Sequence, residues 1–100
     1  MKRKRIVNKQ LLQELAKQRC LVCRRTPCDP HHVKSKKSGG DDVRQNLMPL
    51  CREHHTEIHK IGLSTFSEKY KLGKWLIDNG WEFSSMLNKW IKEKDAGVIF

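Results

Sequence analysis

The sequence lacks long apolar runs, and it lacks internal repeats. No stretch approaches the ~20 apolar residues that a membrane-spanning helix needs. The basic start, residues 1–5, is followed by a polar segment instead of the apolar core of a signal peptide. We therefore expect a cytoplasmic protein with no membrane partner, in which four cysteines indicate metal binding more often than disulfides.

Acidic residues are scarce at the start of the chain. The formal net charge is +10, and residues 1–28 contain nine lysines and arginines against a single acidic residue, Glu14. A concentrated positive field attracts polyanions, most simply nucleic-acid phosphate, although a basic end can also serve solubility alone. We therefore expect DNA or another nucleic acid as a partner.

The length of 100 residues predicts one domain, residues 1–100, with a small hydrophobic core. A chain of this size buries only about two-thirds of the surface that its unfolded form exposes. Small domains often compensate with a bound metal ion. A metal site is therefore a reasonable part of its stability.

One short segment concentrates metal-ligating side chains. Cys51, His54, His55 and His59 fall within nine residues. In a helix, residues three or four apart share a face, whereas neighbours diverge by about 100°. Cys51 and His54 would then face one way, and His55 and His59 another. The segment predicts a helix over residues 51–60 that serves two metal sites.

The first predicted site is a structural zinc site. Cys20-x2-Cys23 and Cys51-x2-His54 provide three thiolates and one imidazole, a set typical of tetrahedral zinc. The long segment between the two pairs can hold a hairpin. Cys28 is a rival for one position, but it lacks a second cysteine at knuckle spacing. We therefore interpret Cys28 as a small buried thiol.

The second predicted site uses the remaining histidines. His31 and His32 are adjacent, and neighbours on a β-strand point to opposite faces, so we expect different roles for them. One can join His55 and His59 in holding a metal ion. The other can handle a proton, which suits a side chain whose unperturbed pKa is about 6.5. An ordinary surface or core role for the histidines is one alternative, and a purely structural second zinc site is another.

Together with Asn46, these histidines resemble the signature of HNH endonucleases. The likeness lies in His31-His32, in Asn46 and in the His-Thr-Glu-Ile-His segment at 55–59. The run over 46–55 is similar to the Asn-Leu-x-x-Leu-Cys-x-x-Cys-His of zinc-stapled members. The resemblance covers about residues 20–60 and is closest to small stand-alone phage proteins. It implies a ββα-metal core.

The resemblance also implies a role for each matched residue. His32 falls at the general base, and Asn46 falls where the family keeps an Asn that braces the long loop and so aligns the base. The implied ligands of the catalytic ion are His31, His55 and, as in colicin-like members, His59. That ion would be Mn²⁺, Mg²⁺, Ni²⁺ or Zn²⁺, although three imidazoles suit Mg²⁺ alone less well.

Two positions depart from the family pattern. His54 replaces the commoner fourth cysteine of the zinc site, which is chemically acceptable. Thr56 stands where many members carry Asn, and His59 is the side chain that would compensate.

These assignments predict a small α+β fold with a zinc-stapled ββα-metal core, an N-terminal helix and C-terminal helices. Residues 1–5 would form a mobile basic arm, residues 20–60 the HNH core and residues 63–100 a helical extension. The predicted strands cover about 30–33 and 47–50. Asn8 would cap the first helix, and a capping box from Thr65 would begin a later one. Ser84 or Ser85 would begin the last helix, whose apolar face is Met86, Leu87, Trp90 and Ile91.

The function implied by the resemblance is that of a metal-dependent DNA endonuclease that leaves 5′-phosphate and 3′-hydroxyl ends. Candidate phosphate contacts are the basic residues near the two sites: Arg24, Arg25, Lys34, Lys36 and Lys37. One alternative is a zinc-stabilised nucleic-acid-binding module that does not cleave. Another is an interaction module that docks onto a larger nuclease or packaging machine. Only the second site and Asn46 separate the first two interpretations.

Overall fold

The structure, a computed structural model, describes residues 4–92. The chain divides into two compact units, Met1–Glu57 and Ile58–Phe100. The described part contains four α-helices and two antiparallel sheets of two strands each. No helix in this part is long and apolar enough to cross a membrane. The predicted α+β class is confirmed, whereas the prediction of one domain stays a prediction.

The first unit contains the predicted strand, loop, strand and helix in that order. Strand β1 (Asp29–His32) pairs antiparallel with β2 (Leu47–Leu50), with His32 opposite Leu47 and Asp29 opposite Leu50. The connecting loop contains two short 3-10 turns, Lys36–Ser38 and Arg44–Asn46. Helix α2 (Arg52–Ile61) begins just after β2 and continues into the second unit. This is the ββα arrangement, and β1 begins one residue earlier than the sequence predicts.

Helix α1 (Lys9–Ala16) begins where its capping residue predicts. The side-chain oxygen of Asn8 accepts a hydrogen bond from the Leu11 N–H at 3.0 Å, which satisfies one of the donors exposed at a helix start. At the other end, the Cys28 N–H donates to the Ala16 carbonyl at 2.9 Å. The end of α1 is thereby attached beside the start of β1.

Strand β2 forms the centre of this unit because every one of its side chains is buried. Leu47, Met48 and Leu50 are each at most 1% exposed. The Pro49 carbonyl accepts a hydrogen bond from the Leu21 N–H at 3.0 Å, so the segment around Cys20 is held against the same strand. Burial of this apolar strand fixes the position of Cys51, which follows it directly.

The N-terminal segment is attached to the loop between β1 and β2. The Arg5 guanidinium donates to the Gly40 carbonyl at 2.9 Å and to the Asp42 carboxylate at 2.8 Å. The Ile6 N–H donates to the Asp41 carboxylate, and the Ile6 carbonyl accepts from the Asp42 N–H. We call residues 5–8 the N-terminal strap. The predicted mobile arm is therefore wrong for Arg5, and its first three residues lie outside the described residues.

The second unit packs two short helices on a β-hairpin. After the end of α2 come α3 (Leu63–Tyr70), α4 (Gly73–Asp78), β3 (Trp81–Ser84) and β4 (Lys89–Lys92). Phe66, Leu76 and Trp81 are buried and contribute to the core of this unit. The Trp90 indole N–H donates to the Ser67 hydroxyl at 3.2 Å, so β4 is attached to α3.

The prediction of a last helix from Ser84 or Ser85 is wrong. Residues 81–92 form a hairpin, in which the chain reverses at Asn88 with φ 54°. Asn tolerates this left-handed conformation better than most residues. Met86 and Leu87 lie at the turn and are 92% and 52% exposed, so their helical spacing marks no buried face. Residues 93–100 of the predicted extension lie outside the described residues.

The predicted capping box from Thr65 is also wrong. Helix α3 begins at Leu63, two residues earlier, and its N-cap is Gly62 with φ 85° and no side-chain cap. Glycine adopts this conformation without steric cost. Gly62 therefore follows the end of α2 and caps the start of α3.

Candidate metal centres and active site

The four side chains of the first predicted site come together. Cys20 and Cys23 lie in a tight turn after α1, in which the Arg24 N–H donates to the Cys20 carbonyl at 3.0 Å. Cys51 lies between β2 and α2, and His54 lies in the first turn of α2. One donor atom from each residue falls within 4.8 Å of the others.

Two of three distances between donor atoms in this cluster match tetrahedral zinc. With Zn–S of about 2.3 Å and Zn–N of about 2.1 Å, two sulfurs lie about 3.8 Å apart, and a sulfur and a nitrogen about 3.6 Å apart. The Cys23 and Cys51 sulfurs are 3.7 Å apart, and Cys20 Sγ is 3.6 Å from His54 Nδ1. The Cys51–His54 contact is shorter, at 3.1 Å. In donor chemistry, number and spacing, the cluster fits a structural zinc ion.

The electrostatic environment distinguishes Cys20 from Cys28. Burial raises the pKa of the Cys20 thiol, but hydrogen bonds from backbone N–H groups, including that of Val22 at 3.4 Å, lower it to about 6. Thiolate is the form that binds metal. Burial instead raises the pKa of Cys28 to about 11, and the other three cysteines add to this effect. The Cys28 thiol donates to the Gln18 carbonyl at 3.0 Å and lies outside the cluster.

The second cluster consists of three histidines. His31 projects from β1, and its ring lies edge-on to the ring of His55, with centroids 5.2 Å apart. His59 follows His55 by one turn of α2. One ring nitrogen from each lies within 4.8 Å of the others. Three imidazoles at this spacing fit a transition-metal ion and leave coordination positions for water or substrate.

A carboxylate that the sequence analysis missed orients His55. Asp29 Oδ2 lies 3.4 Å from His55 Nδ1 and accepts a 2.7 Å hydrogen bond from Arg52 Nε. The Arg52 hydrogen bond lowers the pKa of Asp29 below its ordinary value, so the carboxylate remains charged. Metal-binding histidines commonly donate their second nitrogen to such a group, which leaves Nε2 of His55 for a metal ion.

His32 has different neighbours from His31, as expected of adjacent residues on a strand. Its Nε2 lies 2.7 Å from Asp42 Oδ1. The Asp42 side chain is fully buried, and the His32 side chain is 11% exposed. The other Asp42 oxygen accepts from the Asn8 N–H at 2.9 Å. Burial alone would raise the pKa of Asp42, but the hydrogen bonds from His32, Asn8 and Arg5 lower it far below its ordinary value.

Asn46 holds the loop that connects the two strands. Its side-chain oxygen accepts from the Lys34 N–H at 2.7 Å, and its amide donates to the carbonyls of Lys34 and Asp41 at 3.1 and 3.0 Å. Gly40 is required in this arrangement, because a Cβ there would collide with the Lys34 carbonyl. Asn46 thereby connects Lys34, near the start of the loop between β1 and β2, to Asp41, further along the same loop.

The remaining predicted positions divide into two groups. The Thr56 hydroxyl donates to the Arg52 carbonyl of its own helix at 2.9 Å, so it is satisfied locally. Of the proposed phosphate contacts, Lys34 is half-buried and the other four are exposed. Arg25 forms an exposed ion pair with Glu53, with 3.7 Å between nitrogen and oxygen.

Three residues of these networks were missed by the sequence analysis: Asp29, Asp42 and Arg5. A signal existed for Asp29, because it precedes His31 by two residues and shares its face of β1. Asp42 lies in a loop whose acidic end was visible in the sequence, but nothing local connects it to His32. Arg5 is 37 residues away from Asp42, and only folding brings the two together.

Comparison with known proteins gives one family. A family model described as "Putative HNHc nuclease" matches residues 5–92. The protein named "Uncharacterized protein YdfU" of Escherichia coli (strain K12) is 33% identical over 72 residues, which cover 69% of this chain and 20% of that protein. The chain therefore spans about a fifth of the length of this relative. No solved structure matches the chain.

The family match starts at Arg5 of the N-terminal strap and ends at Lys92 of strand β4. It therefore includes both clusters, the histidine held by Asp42 and the loop held by Asn46. A match over most of the chain, on a ββα fold with these side chains in place, establishes that the protein belongs to the HNH nuclease family.

Proposed function

We propose that this protein is a metal-dependent DNA endonuclease that hydrolyses phosphodiester bonds with one divalent ion. Membership of the HNH family implies nuclease activity, and the proposal adds the substrate, the metal dependence and the residue roles. The proposal rests mainly on the cluster in which ring nitrogens of His31, His55 and His59 lie within 4.8 Å of one another. The residue after His31 in the sequence is His32, which contacts the buried carboxylate of Asp42.

In this proposal His31, His55 and His59 hold the divalent ion. When bound, the ion would supply positive charge that offsets the charge on the scissile phosphate and the departing 3′ oxygen. Imidazole donors accept Mn²⁺, Ni²⁺ and Zn²⁺, and with oxygen ligands from substrate they tolerate Mg²⁺. Asp29 supports this role because it holds the ring of His55 through the nitrogen that the ion does not need.

His32 acts as the general base. It takes a proton from a water molecule while the water oxygen forms a bond to phosphorus, and the bond from phosphorus to the 3′ oxygen breaks. The 3′ oxygen leaves with the electron pair of that bond and takes a proton from solvent, so the products carry a 5′-phosphate and a 3′-hydroxyl. Histidine suits this step because its unperturbed pKa lies near neutral pH. Asn46 acts indirectly, since its three hydrogen bonds hold the loop that carries Asp42, the partner of His32.

Cys20, Cys23, Cys51 and His54 hold a zinc ion with a structural role. This ion ties the turn after α1 to the start of α2, the helix that also carries His55. The backbone of DNA would contact basic residues at the surface, of which Arg24, Lys36 and Lys37 are exposed. The high positive charge of residues 1–28 predicts that binding weakens as salt concentration rises.

Plasmid cleavage tests the proposal. Supercoiled, linear and branched DNA would be incubated with the wild-type protein, with and without Mn²⁺, and with His32→Ala and His31→Ala. We expect His32→Ala to retain metal and DNA binding but to cleave ~10²- to 10⁴-fold more slowly, the usual contribution of a positioned general base. His31→Ala should bind metal weakly, and added Mn²⁺ should partly restore its cleavage.

Two outcomes would contradict the proposal. If the wild-type protein binds DNA but cleaves none of the three forms with any divalent ion, the non-cleaving binding module is correct. If added Mn²⁺ restores cleavage by His32→Ala, His32 is a metal ligand and its assigned role is wrong. Lys74→Ala is a suitable control, because it removes an exposed positive charge outside both clusters and outside the candidate phosphate contacts.

A further inference from the structure

The hydrogen bond between His32 and Asp42 also bears on which ring nitrogen of His32 carries a proton. An ionised carboxylate can only accept hydrogen bonds, so the His32 nitrogen 2.7 Å from Asp42 Oδ1 must carry the proton of that bond. That nitrogen is Nε2. In a neutral imidazole the second nitrogen, Nδ1, is then the acceptor. The position of one carboxylate therefore determines which nitrogen of His32 can receive a proton.

Three further contacts hold this carboxylate in place. The Arg5 guanidinium donates to the same oxygen, Oδ1, at 2.8 Å, and the Asn8 N–H donates to Oδ2 at 2.9 Å. The Asp42 N–H in turn donates to the Ile6 carbonyl at 2.9 Å. Both carboxylate oxygens and the backbone are thus fixed by the N-terminal strap. Asp42 cannot rotate away from His32 without breaking contacts to residues more than 30 positions away.

We propose that Asp42 is a positioning residue that holds His32 with Nε2 protonated and leaves Nδ1 as the atom that accepts the proton from water. The N-terminal strap belongs to the active site in this view, because Arg5 and Asn8 fix the carboxylate that fixes the base. The inference rests on the proposed function, since it assigns the reacting atom of the general base.

The charge balance of the pair supports this arrangement. Asp42 is buried, and a buried carboxylate needs a compensating charge or several donors. Arg5 supplies the charge through its 2.8 Å contact with Oδ1, and the Asn8 N–H supplies a donor to Oδ2. With these contacts in place the carboxylate stays ionised, so it can only accept a hydrogen bond from His32.

The decisive variant is Asp42→Asn, with Asp41→Asn as the matched control. Asn has the shape of Asp, but one of its two positions becomes an N–H donor that cannot accept from His32 or Asn8. Asp41 is the adjacent carboxylate, and it accepts from the Ile6 N–H of the same strap at 2.8 Å. The control therefore removes one charge and one attachment of the strap. A purely structural role predicts similar losses in both variants.

Two measurements distinguish positioning from structure. Long-range ¹H–¹⁵N NMR of the imidazoles in zinc-loaded protein reports the tautomer, with the His32 signals assigned by their loss in His32→Ala. We expect Nε2–H in the wild type and in Asp41→Asn, and a mixture or the Nδ1–H form in Asp42→Asn. Single-turnover cleavage should fall ~10²- to 10⁴-fold in Asp42→Asn, within the range for loss of the base itself. Its DNA and Mn²⁺ affinities should stay within about twofold of the wild type.

The double variant Asp42→Asn with His32→Ala sharpens the test. If Asp42 acts only through His32, the double variant should cleave no more slowly than His32→Ala alone, because residues that act as a unit are not additive. Additive losses, or an Nε2–H tautomer that persists in Asp42→Asn, would overturn the inference. If Asp42→Asn fails to fold, Arg5→Ala replaces it, with the same tautomer and rate expected to change in the same direction.

Failure of the proposed function would look different. A wild-type protein that never cleaves DNA would refute the nuclease proposal, and the NMR tautomer would then decide alone whether Asp42 positions His32. A wild-type protein that cleaves, with His32→Ala inactive and Asp42→Asn fully active, would leave the nuclease proposal intact and refute the role of Asp42.

Discussion

The two clusters of metal-ligating side chains differ in burial, in donor chemistry and in openness, although neighbouring residues of one helix belong to each. His54 joins three cysteines, of which Cys20 and Cys51 are buried. His55 joins two other histidines, and its side chain is 27% exposed. The adjacent residues His54 and His55 of α2 thus belong to different clusters, a closed one of four donors and an open one of three.

This difference indicates a division of roles. Four donors complete a tetrahedral zinc site and leave no position for substrate, whereas three donors leave coordination positions open. A closed cluster that joins distant segments contributes to folding, because its ligands meet only in the folded chain. In the proposed function the open cluster of three histidines has the catalytic role, and we expect it to contribute less to folding than the closed cluster. Variants of each cluster can therefore test whether the two roles separate in this way.

The largest effect is expected from Cys23→Ala. Zinc binding contributes about 10–16 kcal/mol in zinc-finger peptides, which is comparable to the whole stability of a small domain, about 5–15 kcal/mol. We expect Cys23→Ala to be largely unfolded, while His55→Ala remains folded with its zinc. Circular dichroism and elemental analysis of both proteins would show this. A well-folded, metal-free Cys23→Ala would remove the distinction between the clusters.

The next effect concerns metal binding at the open cluster. His55→Ala removes one of three ligands, so its affinity for Mn²⁺ should fall by more than the ~10- to 100-fold typical of an outer-shell change. Calorimetry on zinc-loaded protein measures this directly, and a cleavage assay across an Mn²⁺ titration should show partial recovery. Unchanged Mn²⁺ affinity would show that the second ion binds elsewhere.

A smaller effect is expected from Asp29→Ala. Without the carboxylate 3.4 Å from its Nδ1, His55 loses its orientation, and Mn²⁺ affinity should fall ~10- to 100-fold. Glu53→Ala is the matched control, because Glu53 is an exposed acidic residue of the same helix as His55. Equal losses in both variants would mean that only general negative charge matters, and that Asp29 has no specific contact with His55.

The smallest effect is expected from Cys28→Ala. Cys28 is buried close to the zinc cluster, but burial raises its pKa to about 11, which keeps it protonated at neutral pH. The substitution removes one hydrogen bond to the Gln18 carbonyl, a loss of about 1 kcal/mol. Zinc content should stay at one ion per chain. Loss of zinc in this variant would show that Cys28 is a ligand and that the closed cluster has been assigned incorrectly.

Local spacing predicted which side chains of α2 share a face, whereas the choice of His31 over His32 as a metal ligand came from the resemblance to HNH endonucleases. Cys51 and His54 share a helix face because they are three residues apart, and His55 and His59 share the next face because they are four apart. The different surroundings of His31 and His32 follow from the two-residue repeat of a strand. The capping of α1 by Asn8 is equally local. These features depend on one element at a time, so the sequence by itself determined them.

The partners of these side chains depend on the tertiary structure. Asp42 contacts His32 because Asn46 fixes the loop between β1 and β2 by hydrogen bonds. It contacts Arg5 because the N-terminal strap lies against the same loop. In the second unit, the apolar spacing of residues 86–91 suggested a helix, and packing on α3 and α4 produced a hairpin instead. Such contacts join residues tens of positions apart. The periodicity of a single element carries no information about them, because the packing of several elements selects which of many possible partners meet.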